Sequence, residues 1–195
     1  MIMKTVSTFD LYLWNLFVPK LSEESFKNRL VCLLAVSYIS VYKLPRKCIL
    51  NYFKGKGSDM VIDSDEVIMN NQEVLNQLTE AIASSKRNGS TAGSLRICQT
   101  DIHKPNYKYS IGSFTINYLI HDESIEITIK SGYHFQLNPD RLTRHLHSWF
   151  YSLTIKGHAE SFEIKGNPWT TSFPELLAVK MKKKAERQPK LALLI

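Results

Sequence analysis

Apolar residues recur at helical spacing through the first half of the chain. An apolar-aromatic segment over residues 9–17 stops before Pro19, and Ser22, which two glutamates follow, has the properties of a helix N-cap. The helix that begins there is predicted to run to about Tyr42, ahead of Pro45, because the residue before a proline is disfavoured in a helix. The pattern therefore predicts two N-terminal helical segments.

A further helix is predicted from Asn70 to about Lys86. Asn70 is followed three residues later by Glu73, which is the spacing of a capping box, and a breaker cluster begins at residue 88. The apolar residues of this segment recur three and four positions apart, and they are Val74, Leu75, Leu78, Ala81 and Ile82. One face of the helix is therefore expected to lie in the core.

The second half of the chain alternates apolar and polar residues, which predicts strands. The residues expected to face the core of an antiparallel hairpin within residues 108–131 are Phe114, Ile116, Tyr118, Ile125, Ile127 and Ile129. Shorter strands are predicted at residues 60–62, behind a glycine turn at 55–57, and at 95–100 and 162–164. This order indicates an α+β fold, with N-terminal helices followed by a small antiparallel sheet that helices flank.

Length and composition are those of one globular domain with a small appendage. The chain has 195 residues, of which 44% are apolar and 22% charged, and this argues against a disordered, collagen-like or disulfide-scaffold protein. Its three cysteines show no C-x-x-C spacing, which argues against a zinc ribbon. We expect an N-terminal helical segment at residues 1–48, an α+β domain at 49–186, and a basic and apolar tail at 187–195.

Positive charge is concentrated at the two ends of the chain. The net charge is +7, and residues 151–195 carry 8 basic and 4 acidic side chains. The densest basic run, within residues 180–190, would attract phosphate groups or an anionic membrane surface, unless it is only the solvated end of a helix. The middle of the chain is nearly neutral, which makes nucleic acid the less favoured ligand.

No targeting segment is predicted. The N-terminus lacks the basic stretch and the uninterrupted apolar core of a signal peptide, and the longest apolar run, residues 30–44, is too short and too polar for a transmembrane span. If the protein acts outside the cell that makes it, we expect another component to deliver it.

The residues with candidate chemistry cluster around one predicted helix. This helix is expected to begin at Asn138-Pro139, where a capping side chain and an N-terminal proline are favoured, and to end before Gly157. His145 and His147 are two residues apart, so on a helix they point roughly 200° apart and cannot bind the same metal ion. No metal site is predicted from this pair.

These residues favour an anion site instead. Two arginines and the free N–H groups of a helix start can bind phosphate oxygens, and a histidine one turn away can act as a general acid near neutral pH. The predicted catalytic residues are Arg141, Arg144, His145 and His134, and the predicted substrate-binding residues are Asn138, Tyr133 and His147. The alternative is an amphipathic helix with a solvated basic face.

The order of these features resembles the catalytic domain of the colicin M family of bacteriocins. The features are an aromatic pair with Gly-x-Gly at residues 52–57, a helix at 71–82, a hairpin, Asn138-Pro139, Trp149, and an aromatic-Glu-Ile strand at 162–164. Enzymes of that family cleave the peptidoglycan precursor lipid II between the polyprenol and the pyrophosphate, with magnesium. Residues 141–149 are also similar to enterobacterial domains attached to secretion-system proteins.

The chain departs from that family at the motif that carries its chemistry. The family reads Asp-x-Tyr-Asp-x-Asn-Pro-x-x-His-Arg, and the corresponding positions here are Tyr133, Phe135, Gln136, Asn138, Pro139, Leu142 and Thr143. Both carboxylates and the His-Arg pair are absent, so no magnesium ligand or general base is found there.

The resemblance nevertheless implies an antibacterial effector of the cell envelope that acts on a polyprenyl-pyrophosphate, as a phosphodiesterase-type hydrolase of lipid II. It also implies Mg²⁺ as a cofactor, a cognate immunity protein as a partner, and a protein made in the bacterial cytoplasm and delivered to the periplasm of a target cell. Two alternatives stay open. One is a non-catalytic binding or immunity-type module, favoured by the missing motif. The other is a nucleic-acid-directed toxin, favoured by the basic tail.

Overall fold

The fold is known from a computed structural model, which describes residue 37 and residues 40–134 and 144–187. Within this part the chain is an α+β protein, which confirms the predicted class. The predicted segment at residues 9–17 and most of that at 22–42 lie outside the described residues. In chain order the elements are α1 (Lys43–Lys54), β1 (Met60–Ile62), α2 (Ser64–Asn70), α3 (Gln72–Arg87), β2 (Ala92–Ile97), a 3₁₀ turn (Gln99–Asp101), α4 (Pro105–Lys108), β3 (Phe114–Ile120), β4 (Ile125–Tyr133), α5 (Arg144–Ile155), β5 (Phe162–Gly166), β6 (Trp169–Thr171) and α6 (Phe173–Arg187).

The described residues divide into two compact units. The first contains residues 37, 40–57, 134 and 144–161, and the second contains residues 58–133 and 162–187. The domain boundaries predicted at residues 48 and 186 stay predictions.

The first unit is built on α1 and α5. Helix α1 is not among the predicted elements, and Pro45 lies in its first turn, where a missing N–H loses no intrahelical bond. Tyr52 on α1 is fully buried, and its hydroxyl donates a hydrogen bond of 2.7 Å to the carbonyl oxygen of Phe150 on α5. Their ring centres lie 5.6 Å apart. An aromatic contact and a buried hydrogen bond therefore join the two helices.

Helix α5 ends before Gly157, as the sequence predicts. Gly157 has a φ of 69°, in the left-handed region that a glycine adopts without strain, and the N–H of His158 donates to the carbonyl of Leu153 at 2.9 Å. The predicted start of this helix at Asn138 lies outside the described residues.

The second unit contains a six-stranded mixed sheet. Its strand order is β1-β5-β4-β3-β2, and β6 pairs with β4 on the same edge as β5. Strands β3 and β4 form the predicted antiparallel hairpin, and all six residues expected to face the core are buried, which confirms that prediction. The sheet is mixed rather than antiparallel throughout, because β1 pairs with β5 in the parallel direction.

Strands β5 and β6 follow one edge of β4 with a bulge between them. Lys165 lies opposite Lys130, and Trp169 lies opposite Ile127. The three residues between Lys165 and Trp169 therefore face only two residues of β4. The extra residue is held from the side: the buried hydroxyl of Ser64 donates to the carbonyl of Asn167 at 2.6 Å. The break between the two strands is therefore a fixed feature of the sheet.

Helices cover one face of this sheet. Helix α3 packs on β2 and on α6, and α2 packs on α3 and β4. The N-cap of α3 is Asn71, one residue later than predicted, since Asn70 is still the last residue of α2. The face of α3 predicted from its spacing is buried at Val74, Leu75, Leu78 and Ile82. The opposite face of the sheet carries mostly polar and charged side chains, with Val61 and Leu119 exposed among them.

Candidate functional site

Helix α6 begins with a reciprocal capping box that fixes it to the end of β6. The carboxylate of Glu175 accepts hydrogen bonds of 2.9 Å from the backbone N–H of Ser172 and from the hydroxyl of Thr171. The Ser172 hydroxyl in turn accepts a bond of 3.4 Å from the backbone N–H of Glu175. The Ser172 N–H, followed by the two hydroxyls, lowers the pKa of Glu175 below its ordinary value.

The inner side of α6 is defined by its contacts with α3. Leu176 is fully buried, and the amine of Lys180 donates to the Thr79 hydroxyl at 3.0 Å. The same amine lies 3.6 Å from a carboxylate oxygen of Glu80. The Lys86 amine of α3 lies 5.2 Å from the centre of the Phe173 ring. These contacts set the rotation of α6 about its own axis.

The opposite side of α6 is exposed and apolar. At about 100° per residue, the apolar positions that face away from Leu176 are Pro174, Leu177, Ala178, Met181 and Ala185; all five are exposed, and the exposed Lys182 faces away from Leu176 as well. We call these five residues the outer stripe. Leu177 retains 37% of its accessible surface and Met181 retains 71%. Single exposed apolar residues are common, but an outward helix face without a polar side chain at its centre is not.

Positive charge accompanies the outer stripe. Residues 173–187 contain five basic and two acidic side chains, so the helix has a net charge of +3. Lys182 is exposed at the edge of the stripe and forms its basic border, whereas Lys183 lies on the side of Leu176 and is partly exposed. The combination of an apolar stripe and a basic border is typical of helices that lie on an anionic membrane surface.

The seven residues that the sequence singled out are placed only in part. Tyr133 ends β4 and is buried, with its ring stacked on Phe162 at 5.1 Å. His134 follows it and is exposed. Arg144, His145 and His147 lie on the backbone of α5. Asn138 and Arg141 lie outside the described residues. Their catalytic and binding roles stay predictions.

The position of Tyr133 also bears on whether these residues could bind Mg²⁺. It occupies the first carboxylate position of the colicin M motif, and it supplies a buried phenol in an aromatic stack instead of a carboxylate oxygen. Among the described residues no three His, Cys, Asp or Glu side chains are grouped as a metal site would require. The side chains described at this position do not fit a magnesium ion, and the metal requirement stays an expectation from the resemblance.

The outer stripe is the feature that sequence reasoning missed. The run of lysines at residues 180–184 directs attention to charge and away from the apolar residues of the same segment. Two signals predict the helix and its outer face. One is the Ser-x-x-Glu spacing of residues 172–175, and the other is the spacing of Leu177, Met181 and Ala185 by four residues.

Comparison with known proteins adds no assignment. No protein-family model matches the chain, and no curated protein or solved structure is significantly similar to it. None of the described helices is long and apolar enough to cross a membrane.

Proposed function

We propose that this chain is an envelope-directed protein that binds the anionic surface of a bacterial membrane through α6 and acts there on a phosphate-bearing lipid. The observation that carries the proposal is the outer stripe with its basic border. Apolar side chains enter the interface between headgroups and acyl chains, while the neighbouring lysines remain at the phosphates. A helix of this kind binds a membrane without crossing it.

The expected binding is weak and reversible. Complete burial of a leucine or methionine side chain contributes about 1.5–3 kcal/mol, and each lysine near an anionic surface contributes about 1 kcal/mol. The outer stripe offers only two large apolar side chains, Leu177 and Met181, and both already lose part of their surface to the protein. Binding should therefore depend on anionic lipid and decrease with added salt.

Vesicle sedimentation tests the proposal. The protein is mixed with vesicles of phosphatidylglycerol and phosphatidylcholine, or of phosphatidylcholine alone, at low and high salt. We expect binding to the anionic vesicles at low salt only. Replacing both large side chains of the outer stripe, Leu177→Ser with Met181→Ser, should weaken the binding roughly tenfold, because about 1.4 kcal/mol corresponds to a factor of ten.

A matched control is available on another helix. Ile155 ends α5 and retains 69% of its surface, close to the value for Met181, so Ile155→Ser removes a comparable apolar side chain outside α6. This variant should bind as the parent does. Equal losses in the control and the double variant, or equal binding to neutral and anionic vesicles, would contradict the role of α6.

A more specific version of the same proposal is that the protein hydrolyses lipid II. It is supported by the chain order of the features that carry the colicin M resemblance and by the exposed His134 at the end of β4. The test is incubation of the protein with lipid II in the presence of Mg²⁺ or a chelator, followed by detection of released polyprenol. We expect release by the parent protein and reduced release by Arg141→Ala and His145→Ala.

The same assay separates the enzyme from a binding module. Vesicle binding without release of polyprenol would favour the non-catalytic binding or immunity-type module, which the missing carboxylates also favour. Unchanged release of polyprenol by both variants would support the hydrolase activity and would contradict the catalytic roles predicted for Arg141 and His145.

A further inference from the structure

One edge of the sheet in the second unit presents unpaired backbone groups. Strand β2 pairs only with β3 among the described strands, and the N–H of Ile120 donates to the carbonyl of Thr91 at 2.7 Å. Thr91 and Ile120 are therefore a hydrogen-bonded pair, and along an antiparallel ladder the facing pairs that exchange backbone hydrogen bonds alternate with pairs that do not. The backbone groups of Gly93 and Leu95 therefore point toward β3, and those of Ala92, Ser94 and Arg96 point away from it.

This outward edge is exposed and suited to pairing. Ala92, Ser94 and Arg96 are all exposed, and in the described part of the chain the backbone groups of Ser94 and Arg96 have no hydrogen-bond partner. The carbonyl of Ala92 accepts one bond, of 2.8 Å, from the Ser90 hydroxyl. The strand contains no proline and only one charged residue. Such an edge accepts another strand readily.

We infer that the partner is a second copy of this chain, whose β2 pairs antiparallel with the first around Ser94. In this register the two Ser94 residues face each other, and Arg96 of each copy faces Ala92 of the other. Each of the three facing pairs can exchange two backbone hydrogen bonds, about six in all. The contact is isologous, because both copies use the same residues.

Charge on the polar face of the sheet supports this register. Arg96 would lie beside Ala92 of the second copy, whose neighbours in the same row across the sheet are Leu119 and then Glu126. In the described part of the chain neither Arg96 nor Glu126 has an ion-pair partner. Three strand spacings, about 14 Å, separate their backbones, a distance that an extended arginine and a glutamate span together.

The surface between these residues is open to a long side chain. A shallow hollow of about 500 Å³ lies on the sheet there, lined by Ala92, Gly93, Ser94, Asn117, Tyr118, Leu119, Glu126 and Thr128. It extends from the small side chain of Ala92 past the half-exposed Leu119 to Glu126, so Arg96 of the second copy would lie along Leu119 to reach the carboxylate. The two arginines are four residues apart along the strands, about 13 Å, so salt screens their repulsion.

The dimer is expected to be weak, because a contact of one strand edge falls at the small end of the interface range. Sedimentation equilibrium over roughly 10 µM to 1 mM protein should show a reversible monomer–dimer equilibrium. Ser94→Pro removes the N–H at the two-fold axis and should abolish the dimer. It leaves the pairing with β3 intact, because that N–H points away from β3 and proline is tolerated on an edge. Ser94→Ala keeps the N–H and should dimerise as the parent does.

Charge reversal tests the register without a proline. Arg96→Glu and Glu126→Arg should each weaken the dimer, and the two changes together should restore it. A parent that stays monomeric at the highest concentration, or a Ser94→Pro variant that dimerises as the parent does, would overturn the inference. A double charge reversal that does not restore the dimer would also overturn it, since the register places these two residues together.

Discussion

At the residue scale, a few polar contacts fix where the strands of the second unit lie. The N–H of Asn167 donates to the carbonyl of Ile62 at 2.8 Å, and its side-chain amide donates to Asp63 at 3.1 Å. Gly166 beside it has no room for a Cβ, which would lie 3.0 Å from the backbone nitrogen of Ile129 and closer still to the Ser64 hydroxyl. The bulge between β5 and β6 therefore depends on a glycine and on a buried serine.

An ion pair on the polar face of the sheet gives a prediction for the pH dependence. The Lys165 amine donates to the carboxylate of Asp59, and this bond lowers the pKa of Asp59 and raises that of Lys165. A lowered carboxyl pKa stabilises the folded state above the ordinary aspartate value of about 3.9 and loses that contribution as the pH falls through the folded value. We expect an NMR titration of Asp59 to show a midpoint below the ordinary value.

The matched variant is Lys165→Gln, which keeps a polar side chain and removes the charge. Its Asp59 midpoint should move back toward the ordinary aspartate value. Because both groups are exposed, the shift should diminish at high salt. A midpoint that is the same in the parent and in the variant would show that the ion pair does not persist in solution.

At the element scale, β2 depends on the glycine at its second position. Gly93 lies opposite Tyr118 of β3, and a Cβ on Gly93 would overlap the phenol ring, whose hydroxyl is 2.9 Å from the hydroxyl of Ser85 on α3. Gly93→Ala should therefore lower the free energy of unfolding by about 1–3 kcal/mol, which is the usual cost of overpacking. Urea unfolding measures this change.

Ser94→Ala is the control for that measurement, because Ser94 is the next residue of the same strand and is exposed. It should leave the free energy of unfolding almost unchanged. An equal stability of Gly93→Ala and the parent would mean that Tyr118 moves aside without loss of packing.

The elements that the sequence predicts well are those with one dominant period. The alternation around residues 121–123 predicts β3 and β4 and the side that each residue faces, because one face of that hairpin is buried. Helix α1 is not predicted, because a proline argues against a helix around it, whereas Pro45 lies in the first turn, where a proline is compatible with a helix. The parallel pairing of β1 with β5 joins residues about 100 apart, and no local pattern predicts it.

The candidate site was predicted less completely than the fold. The basic run of α6 was visible in the sequence, and an anionic surface was inferred from it. The outer stripe depends on which side of α6 meets α3, and that side is defined by Leu176 and Lys180 together. Local spacing gives two helix faces that both contain apolar residues, so the tertiary contacts decide which face is exposed.

At the scale of the whole molecule, the two proposed surfaces are expected to act together. The two-fold axis of an antiparallel strand pair is perpendicular to the sheet, so both copies have their helix layers on the same side of the continuous sheet. A dimer through β2 therefore presents two copies of α6 on that side. If both reach one membrane, the second contact forms at a high effective concentration, and the apparent affinity rises well above that of a single helix.

This arrangement predicts that loss of the dimer weakens membrane binding even though α6 is untouched. Ser94→Pro should bind anionic vesicles at least several-fold more weakly than the parent, and the binding curve of the parent should steepen with protein concentration. Ser94→Ala, which keeps the strand edge, should bind as the parent does. If Ser94→Pro is monomeric but binds the vesicles as tightly as the parent, each copy binds the membrane independently, because in that case the two outer stripes do not face the same surface.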